Sequence, residues 1–389
     1  MMTMKTSVCA ALLAVSLVVS PARAETLPPV KTVFVILMEN YGWPSIKDST
    51  NAPYMNSVLL PQASYCEQYY TPSNFTSSLL SYLWLEAGST FGLTTYDTNC
   101  YSPPAIWSVG DTNHFSTLLR KAGIPWRAYQ ECIPGDVVPL TDWGCYKVRH
   151  NPFVYFHDVT GTNDPQHAYG IEHIRPYSEF GRDLTNNAVA RYNFITPGAC
   201  TDMHDSCPPL SNPVLQGDTW LAAEVPKITN SLAYRDNGAL FITWDDAGRV
   251  GVPIGMILLS PLAKGNGYVS TNRYTHSDTL RTFQDIFNVG PYLGEAATAG
   301  NLAELFATDP APAGLRFSAA EKLSPTTYRL TASGAATNLP LVLQASTNLV
   351  GWDAIQTNDP GEIAFDVEVT GDEMGNGKGG FFRLLQQVD

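Results

Sequence analysis

Unbroken hydrophobic runs alternate with helical patterns of apolar residues from residue 31 to about residue 300. Such runs are typical of buried strands. They predict strands over residues 33–38, 125–129, 190–196, 239–244 and 254–260. Apolar positions at helical spacing predict helices over residues 51–60, 77–86, 114–122, 220–230 and 276–287. This alternation indicates an α/β fold with a mainly parallel sheet sandwiched by helices.

The pattern changes at two places along the chain. Residues 132–218 are rich in Pro, Gly, Asn, Asp and aromatic residues, which indicates functional insertions rather than an idle loop. Residues 309–314 (DPAPAG) are typical of a linker, and short alternating strands are predicted after it, at 327–331, 341–345, 363–369 and 380–385. We therefore predict a catalytic domain over 25–308 and a small all-β, sandwich-like module over 315–389.

The charge balance narrows the range of partners. The 389 residues are 44% hydrophobic and 15% charged, and the net charge is −13. Binding to nucleic acid needs a basic surface, so this charge argues against it, and it also argues against attraction to an anionic membrane. A phosphate-bearing substrate is still compatible, because a bound cation can supply local positive charge.

The first 24 residues are typical of a signal peptide. Lys5 supplies the positive start, residues 7–20 form the apolar core, and Ala22-Arg23-Ala24 has the cleavage spacing. The apolar core is shorter than a membrane span. We therefore expect a secreted or periplasmic protein, with a signal peptide over 1–24 and no transmembrane anchor.

Six cysteines remain after the signal peptide. An even number in an oxidising compartment favours disulfides, and the absence of a C-x-x-C pair disfavours a cysteine metal site. Sequence cannot fix the connectivity. We expect two disulfides that close short loops, Cys132–Cys145 and Cys200–Cys207, and a third between the remaining cysteines, Cys66–Cys100.

Two predicted strands end on acidic residues. Glu39 and Asn40 follow the first strand, and Asp245 and Asp246 follow the strand at 239–244. Ligands of parallel α/β sheets bind at the carboxyl ends of the strands, so we expect these side chains to meet there. Their oxygens suit a hard cation, and we predict one divalent metal ion whose identity this set leaves open. Turn formation and helix capping, without a metal, are the alternative for either pair alone.

Three hydroxyl residues, Thr76, Ser77 and Ser78, stand at the start of the helix predicted over 77–86. Capping of the helix would by itself explain them. A helix start also offers free N–H groups and the positive end of the helix dipole to a phosphoryl group. A hydroxyl that is bound to a cation at this point could lose its proton and attack phosphorus.

Three of the seven histidines have a setting that indicates function. His150 lies in the segment RHNPF, and His276 lies directly before a predicted helix. His204 lies between Asp202 and Asp205, inside the predicted Cys200–Cys207 loop. A structural, hydrogen-bonded role is the alternative for each of them.

Seven pieces of the chain occur in a recognisable order over about residues 31–290: VFVILMENYGW, APYMNSVLL, SYLWLEAGSTFG, RHNPFVYF, YNFITPGACTDMHD, LFITWDDAG and YTHSDTLRTFQDIF. Together they resemble the phosphoesterase family that holds bacterial and fungal acid phosphatases and bacterial phospholipases C. This family belongs to the wider alkaline-phosphatase-like superfamily. The resemblance implies an alkaline-phosphatase-like fold for the catalytic domain, and it does not extend to the C-terminal module.

The resemblance also implies a metal site and a nucleophile. The metal-binding positions correspond to Glu39, Asn40, Ser78, Asp245 and Asp246. Ser78, aligned through Tyr82, matches the serine of the family segment H-P-S-x-P-N-Y. This chain departs from that segment at Thr76, Ser77, Leu80 and Ser81. Ser77 and Thr76 therefore stay alternatives for the nucleophile.

Three histidines match positions around the phosphate in this family. His150 and His204 correspond to catalytic residues that bind the substrate and act as general acid and charge stabiliser. Asn40 shares the catalytic and substrate-binding roles. His276 corresponds to a position on the substrate side of the site, where we expect it to act indirectly.

These expectations describe a secreted, metal-dependent acid phosphatase that hydrolyses phosphate monoesters through a phosphoserine intermediate. Its substrate would be a small phosphorylated compound, a class that includes lipid phosphates. A phospholipase C-type phosphodiesterase is the alternative enzyme. Against it, the run AGRVGVP directly after Asp246 has no histidine, and Tyr41-Gly42-Trp43 stands where that branch has Arg-Ser-Phe-Asp-His. A non-catalytic binding protein on an inactive phosphatase scaffold, with a C-terminal module that binds a surface or a glycan, is the other alternative.

Overall fold

The computed structural model describes ten segments of the chain: residues 27–72, 76–94, 108–110, 113–307, 316–324, 327–333, 340–346, 353–359, 361–368 and 381–386. The predicted signal peptide over 1–24, the predicted linker and Cys100 lie outside the described residues.

A central sheet organises the N-terminal part of the chain. The first ten strands are β1 (Thr32–Met38), β2 (Ser64–Cys66), β3 (Tyr69–Tyr70), β4 (Trp126–Gln130), β5 (Ile174–Pro176), β6 (Tyr192–Thr196), β7 (Gly238–Trp244), β8 (Met256–Leu259), β9 (Tyr268–Ser270) and β10 (Tyr274–Thr275). Eight of them form one sheet in the order β5-β4-β6-β1-β7-β8-β2-β9, and β3 pairs with β10. Strand β8 is antiparallel to both of its neighbours, and the other pairs in the sheet are parallel. The predicted mainly parallel α/β sheet is therefore confirmed.

Helices connect and cover these strands. They are α1 (Leu60–Gln62), α2 (Ser78–Ala87), α3 (Phe115–Lys121), α4 (His157–Thr160), α5 (Ala168–His173), α6 (Phe180–Thr185), α7 (Pro213–Thr229), α8 (Leu232–Arg235) and α9 (His276–Phe287). The predicted helix over 51–60 is formed mainly as a π-helical turn, Met55–Leu59, that continues into α1. Shorter 3₁₀ turns cover Trp43–Ser45, Val148–His150, Pro152–Tyr155, Tyr177–Glu179, Gly294–Ala297 and Ala303–Leu305. In the described part of the chain, no helix has the length and apolar character that crossing a membrane requires.

Both faces of the sheet are covered, which explains why its strands are unbroken apolar runs. On one face, Phe115 of α3 and Phe283 of α9 pack on Tyr192 of β6, with ring centroids 4.9 and 5.7 Å away. On the other face, Phe180 of α6 packs on Phe34 of β1 at 6.2 Å. Residues 33–38 of β1 are all buried. Strand β1 thus lies at the centre of the fold, between β6 and β7.

The C-terminal strands form two small antiparallel sheets. They are β11 (Arg316–Lys322), β12 (Thr327–Ser333), β13 (Leu341–Ser346), β14 (Asp353–Asn358), β15 (Ala364–Glu368) and β16 (Phe381–Gln386). Their orders are β11-β12-β15 and β14-β13-β16. They share a separate apolar cluster: Ala332, Leu341, Leu343, Phe365 and Val367. The domain boundaries and the binding of a surface or glycan by this module stay predictions.

Candidate active site

The candidate site lies at the carboxyl edge of the sheet, where the chain leaves β1, β6 and β7. The Glu39 N–H, directly after β1, donates to the carbonyl of Asp202 at 2.8 Å. Asn40 has a left-handed φ of 43°, and its N–H donates to Asp245 Oδ1 at 2.9 Å. The Asp245 N–H donates in turn to the Met38 carbonyl at 2.8 Å. These bonds join the loops that follow three neighbouring strands, so the two predicted acidic strand ends do meet.

Ser78 begins helix α2 and directs its hydroxyl at this edge. Its Oγ donates to Glu39 Oε2 at 2.9 Å, and the residue is buried. Ser77 occupies the N-cap position but makes no capping bond, and its Oγ is buried without a hydrogen-bond partner among the described residues. Of these two serines, it is therefore Ser78 that bonds to Glu39.

A buried trio of Glu39, His150 and Asp202 forms the floor of the site. His150 lies between the two carboxylates, with Nε2 3.4 Å from Glu39 Oε1 and Nδ1 3.5 Å from Asp202 Oδ2. One ligand atom of each of the three residues lies within 4.8 Å of the other two. The Tyr82 ring stacks on His150 at a centroid distance of 5.4 Å. This trio could hold a metal ion.

Buried oxygen atoms without partners show where positive charge would be accommodated. In the described part of the chain, Glu39 Oε1, Asp202 Oδ2 and Asp245 Oδ2 are buried and accept no hydrogen bond. Burial, with the charge of neighbouring carboxylates, raises the pKa of Glu39 and of Asp245 well above the ordinary value. Burial likewise raises the pKa of Asp202 and of Asp246. Four buried carboxyl groups at one strand edge are costly unless a cation neutralises them, so the donor set fits a divalent ion.

The trio and the metal site predicted from sequence overlap at Glu39. The predicted ligands Asn40, Ser78, Asp245 and Asp246 surround the same strand ends, and they stay a prediction. His150, which the sequence assigned to the phosphate, lies here as a potential metal ligand. Asp202 was missed as a site residue, although its place beside His204 in the segment DMHD was a usable signal.

His204 lies at the more open side of the site. Its side chain is 30% exposed, and its Nδ1 is 2.7 Å from Asp205 Oδ1. Its backbone N–H donates to Asp202 Oδ1 at 2.7 Å. The His150 and His204 rings are 6.1 Å apart. His150, in contrast, is buried, and burial, followed by the charge of Arg149, lowers its pKa well below the ordinary value.

Two disulfides brace the loop that carries His204. The predicted pairs Cys132–Cys145 and Cys200–Cys207 are both present. The Cys145 carbonyl accepts from the N–H of Ala199 at 2.9 Å, so the first disulfide also adjoins this loop. For the third predicted pair, Cys66 is buried and forms no disulfide with any described residue, and Cys100 lies outside the described residues.

His276 lies behind Asp245 rather than beside Ser78. Its Nε2 donates to the Asp245 carbonyl at 2.9 Å, and its Nδ1 is 2.9 Å from the Tyr69 hydroxyl. Burial lowers the pKa of His276 to about 4, so the ring is neutral near pH 7 and Nδ1 accepts from Tyr69. Both ring nitrogens are therefore engaged, Nε2 by the loop after β7 and Nδ1 by Tyr69 of β3.

Comparison with known proteins gives a consistent assignment. Residues 48–290 match the model of the Phosphoesterase family. The chain is 26% identical over 284 residues to a phosphatidylinositol-3-phosphatase of Mycobacterium tuberculosis, covering 73% of this chain and 85% of that protein. It is also 26% identical over 227 residues to an acid phosphatase of Aspergillus niger, covering 56% of this chain and 50% of that protein. The chain thus spans about half the length of the fungal enzyme.

Two solved structures match this chain at low sequence identity. A protein in the alkaline phosphatase superfamily from Vibrio parahaemolyticus matches with a TM-score of 0.49 and 12% identity, covering 94% of this chain and 84% of that chain. The alkaline phosphatase from the Antarctic bacterium TAB5 matches with a TM-score of 0.40 and 8% identity, covering 67% of this chain and 99% of that chain.

Proposed function

Because the chain belongs to the Phosphoesterase family, we propose that it is a metal-dependent acid phosphatase that hydrolyses phosphate monoesters through a phosphoserine intermediate. The hydrogen bond from Ser78 Oγ to Glu39 Oε2, at a helix start beside buried carboxylates, is the observation that carries the proposal. Relatives that are phosphatases support a hydrolase acting on phosphoester bonds. The two disulfides are consistent with secretion.

The metal ligands of the proposal come from the strand ends. Glu39, Asn40, Ser78, Asp245 and Asp246 would hold one divalent ion, and His150 and Asp202 offer further donor atoms. When bound, a divalent ion lowers the pKa of a coordinated hydroxyl and offsets the charge of the phosphate. The partnerless oxygens of Glu39 and Asp245 support these two residues most directly.

Ser78 is the proposed nucleophile. Its Oγ forms a bond to phosphorus while the bond from phosphorus to the leaving oxygen breaks, and its proton passes towards Glu39 Oε2, which already accepts it in a hydrogen bond. Free N–H groups at the start of α2 would stabilise the phosphoryl oxygens. Water then breaks the bond between phosphorus and Ser78 Oγ and releases phosphate.

His204 fits the role of general acid better than His150 does. Burial holds the pKa of His150 well below the ordinary value, which disfavours the protonated ring that a general acid needs. His204 is partly exposed, and Asp205 orients its Nδ1, which leaves Nε2 for the leaving oxygen. His204 would donate a proton to that oxygen and recover one from the attacking water. His150 and Asn40 would contact the phosphate and stabilise its charge.

The substrate class is a small phosphorylated compound. The name of the Mycobacterium tuberculosis relative makes lipid phosphates one group to test. We also propose that the protein is secreted or periplasmic and that His276 supports the substrate side of the site through Asp245.

Replacement of the proposed nucleophile tests the function. We expect Ser78→Ala to lower kcat on p-nitrophenyl phosphate by about 10³-fold or more, because the substitution removes the proposed attacking oxygen. Ser77→Ala is the matched control and should retain most of the activity. Mass spectrometry of acid-quenched wild type should show a phosphate adduct at Ser78.

Three results would contradict the proposal. Activity that survives in Ser78→Ala and disappears in Ser77→Ala would move the nucleophile. Faster turnover of bis-p-nitrophenyl phosphate than of the monoester would favour the diesterase. Neither turnover nor an adduct, in protein supplied with divalent ions, would favour the non-catalytic scaffold.

A further inference from the structure

We propose that Glu131 is a positioning residue, which holds the loop that carries Asp202 and His204 in the catalytic site. Glu131 directly follows β4, and its N–H donates to the carbonyl of Thr196 at the end of β6 at 3.1 Å. Sequence reasoning assigned no role to this residue. The test of this role by phosphatase kinetics rests on the proposed function. Its test by Mn²⁺ binding rests on the geometry alone.

The Glu131 carboxylate collects three donors from two elements. Its Oε2 accepts from the Gly198 N–H at 2.7 Å and from Thr201 Oγ1 at 2.5 Å. Its Oε1 accepts from Trp220 Nε1 of α7 at 2.8 Å. Hydrogen bonds to a carboxylate are roughly twice as strong as those between neutral groups. Both oxygens are engaged, so Glu131 is suited to fixing the loop and not to moving a proton.

A short path of hydrogen bonds leads from Glu131 to the catalytic groups. The N–H groups of Thr201 and Asp202 both donate to the Gly198 carbonyl, at 2.7 and 2.9 Å. Asp202 then accepts the Glu39 N–H at its carbonyl and the His204 N–H at Oδ1. The turn over residues 198–202, which Glu131 holds, thus ends in Asp202, and Asp202 bonds to Glu39 and His204.

The space around Gly198 admits only glycine at this position, next to Cys145 and Glu131. A Cβ atom at Gly198 would overlap the Cys145 sulfur and would lie 3.2 Å from Glu131 Oε2. Any larger residue would therefore push the turn away from Glu131. Gly198 therefore packs directly against both Cys145 and the Glu131 carboxylate.

The role of Glu131 is distinguishable from general support of the fold. If Glu131 places His204, its loss reduces protonation of the leaving oxygen, which matters more for a poor leaving group than for a good one. A loss of folded protein would lower both rates equally and leave their ratio unchanged. The ratio of kcat/KM for p-nitrophenyl phosphate to that for phenyl phosphate is therefore the diagnostic quantity.

The experiment compares Glu131→Ala and Thr201→Val with wild type. We expect Glu131→Ala to lower kcat/KM on phenyl phosphate by about 10–100-fold, with a clearly smaller loss on p-nitrophenyl phosphate. Thr201→Val, which keeps the shape and removes one donor, should shift the ratio in the same direction by less. Asp183→Asn is the control, because Asp183 is a buried carboxylate that accepts from Arg127 and Tyr129 and bonds no part of the loop.

An unchanged ratio in both variants would overturn the proposal. If the wild type hydrolyses neither ester, the proposed function fails. The positioning role of Glu131 is then tested separately, by the Mn²⁺ affinity measured by calorimetry. Because Asp202 lies in the buried trio, binding in Glu131→Ala that is about tenfold weaker than in wild type supports the positioning role. Equal Mn²⁺ binding, or none, in both proteins overturns it.

Discussion

Asp202 contacts three other parts of the site. Its carbonyl accepts from Glu39, its Oδ1 accepts from the backbone of His204, and its Oδ2 lies 3.5 Å from His150 Nδ1. Oδ2 is buried and has no hydrogen-bond partner among the described residues. A residue whose backbone carbonyl and Oδ1 are both held by hydrogen bonds, and whose Oδ2 accepts none from the described residues, is well placed to bind a cation.

We predict that Asp202→Asn weakens divalent-ion binding. The substitution keeps the size of the side chain and an acceptor for the His204 N–H, and it removes one charge from the buried trio. Mn²⁺ affinity should fall by about 10–100-fold, as measured by isothermal titration calorimetry. Asp205→Asn is the control, because Asp205 bonds to the His204 ring outside the trio. Equal affinities in wild type and Asp202→Asn would remove Asp202 from the ion site.

At the residue scale, the sequence predicted which side chains meet where a polar residue directly follows a strand. Glu39 and Asp245 come at the ends of apolar runs, and the sheet brings those ends together through the pairing of β1 with β7. Asp202 comes several residues after β6, on a loop whose path depends on Glu131 and on a disulfide. Such long-range contacts leave no periodic signal in the sequence, so the approach of Asp202 to Glu39 could not be predicted.

At the scale of elements, the loop from β6 to α7 is the most strongly braced part of the site. Gln216 of α7 donates to the carbonyls of Cys200 and Asp205, at 2.6 and 3.2 Å, and accepts the Cys207 N–H at 2.9 Å. The Cys200–Cys207 disulfide closes the same segment. Gln216 and the disulfide therefore hold the middle of the loop, and Glu131 holds Gly198 and Thr201 nearer to its start.

We predict that the double variant Cys200→Ser, Cys207→Ser loses both stability and activity. A disulfide across such a short loop contributes about 2 kcal/mol to the free energy of unfolding, which urea denaturation would measure. The freed loop should also place His204 less well, so kcat/KM should fall by more than the loss of folded protein explains. Cys66→Ala, a change at a buried cysteine away from this loop, should leave kcat/KM of the folded fraction unchanged. Full activity in the double variant would show that Gln216 and Glu131 suffice.

Helices and strands could be predicted from the sequence where they are long enough to show a regular apolar pattern. Helix α9 was predicted with its observed bounds from its regular apolar face, and the structure adds a capping box of Thr275 and Asp278 at its start. Helix α2 begins and ends one residue later than the predicted range of 77–86, and Gly88, whose φ is 66°, follows its last residue. The strands β2, β5 and β9 have three residues each, too few to show a period, and β14 is mostly exposed, so its sequence lacks an apolar run.

At the scale of the whole molecule, a second buried charge cluster ties three helices together away from the strand edge. His114, before α3, bonds to Glu86 of α2 at 2.6 Å and to Asp158 of α4 at 2.8 Å. Ser116 also donates to Glu86, and Thr117 donates to Asp158. The Phe156 ring stacks on His114, and Arg120 donates to the Asp158 carbonyl. These are the groups that set the charge of the buried imidazole.

This cluster predicts how stability depends on pH. Burial opposes the charge of His114, but the bonds to Asp158 and Glu86 outweigh it and raise the pKa of His114 above 6.5. The bond to His114 lowers the pKa of Asp158 below 3.8 against the effect of burial. A raised histidine pKa stabilises the fold fully below the unfolded value and ceases to do so as the pH rises through the folded value. The lowered Asp158 pKa stabilises it above 3.8 and ceases to do so as the pH falls through the folded value.

We therefore predict that His114→Gln destabilises the protein most in the mildly acidic range. At about pH 5.5 the loss in the free energy of unfolding should be about 3 kcal/mol, because the buried Glu86 and the partly buried Asp158 lose their charged partner. At a pH above the raised folded pKa of His114, the wild-type imidazole has lost its proton, so the difference between the two proteins should be clearly smaller. Urea denaturation at both pH values measures it, with His167→Gln as control, since the His167 ring bonds to the Val159 carbonyl outside this cluster. A difference that is constant, or that grows towards high pH, would show that His114 is neutral in the folded protein and that its partners act only as hydrogen-bonding groups.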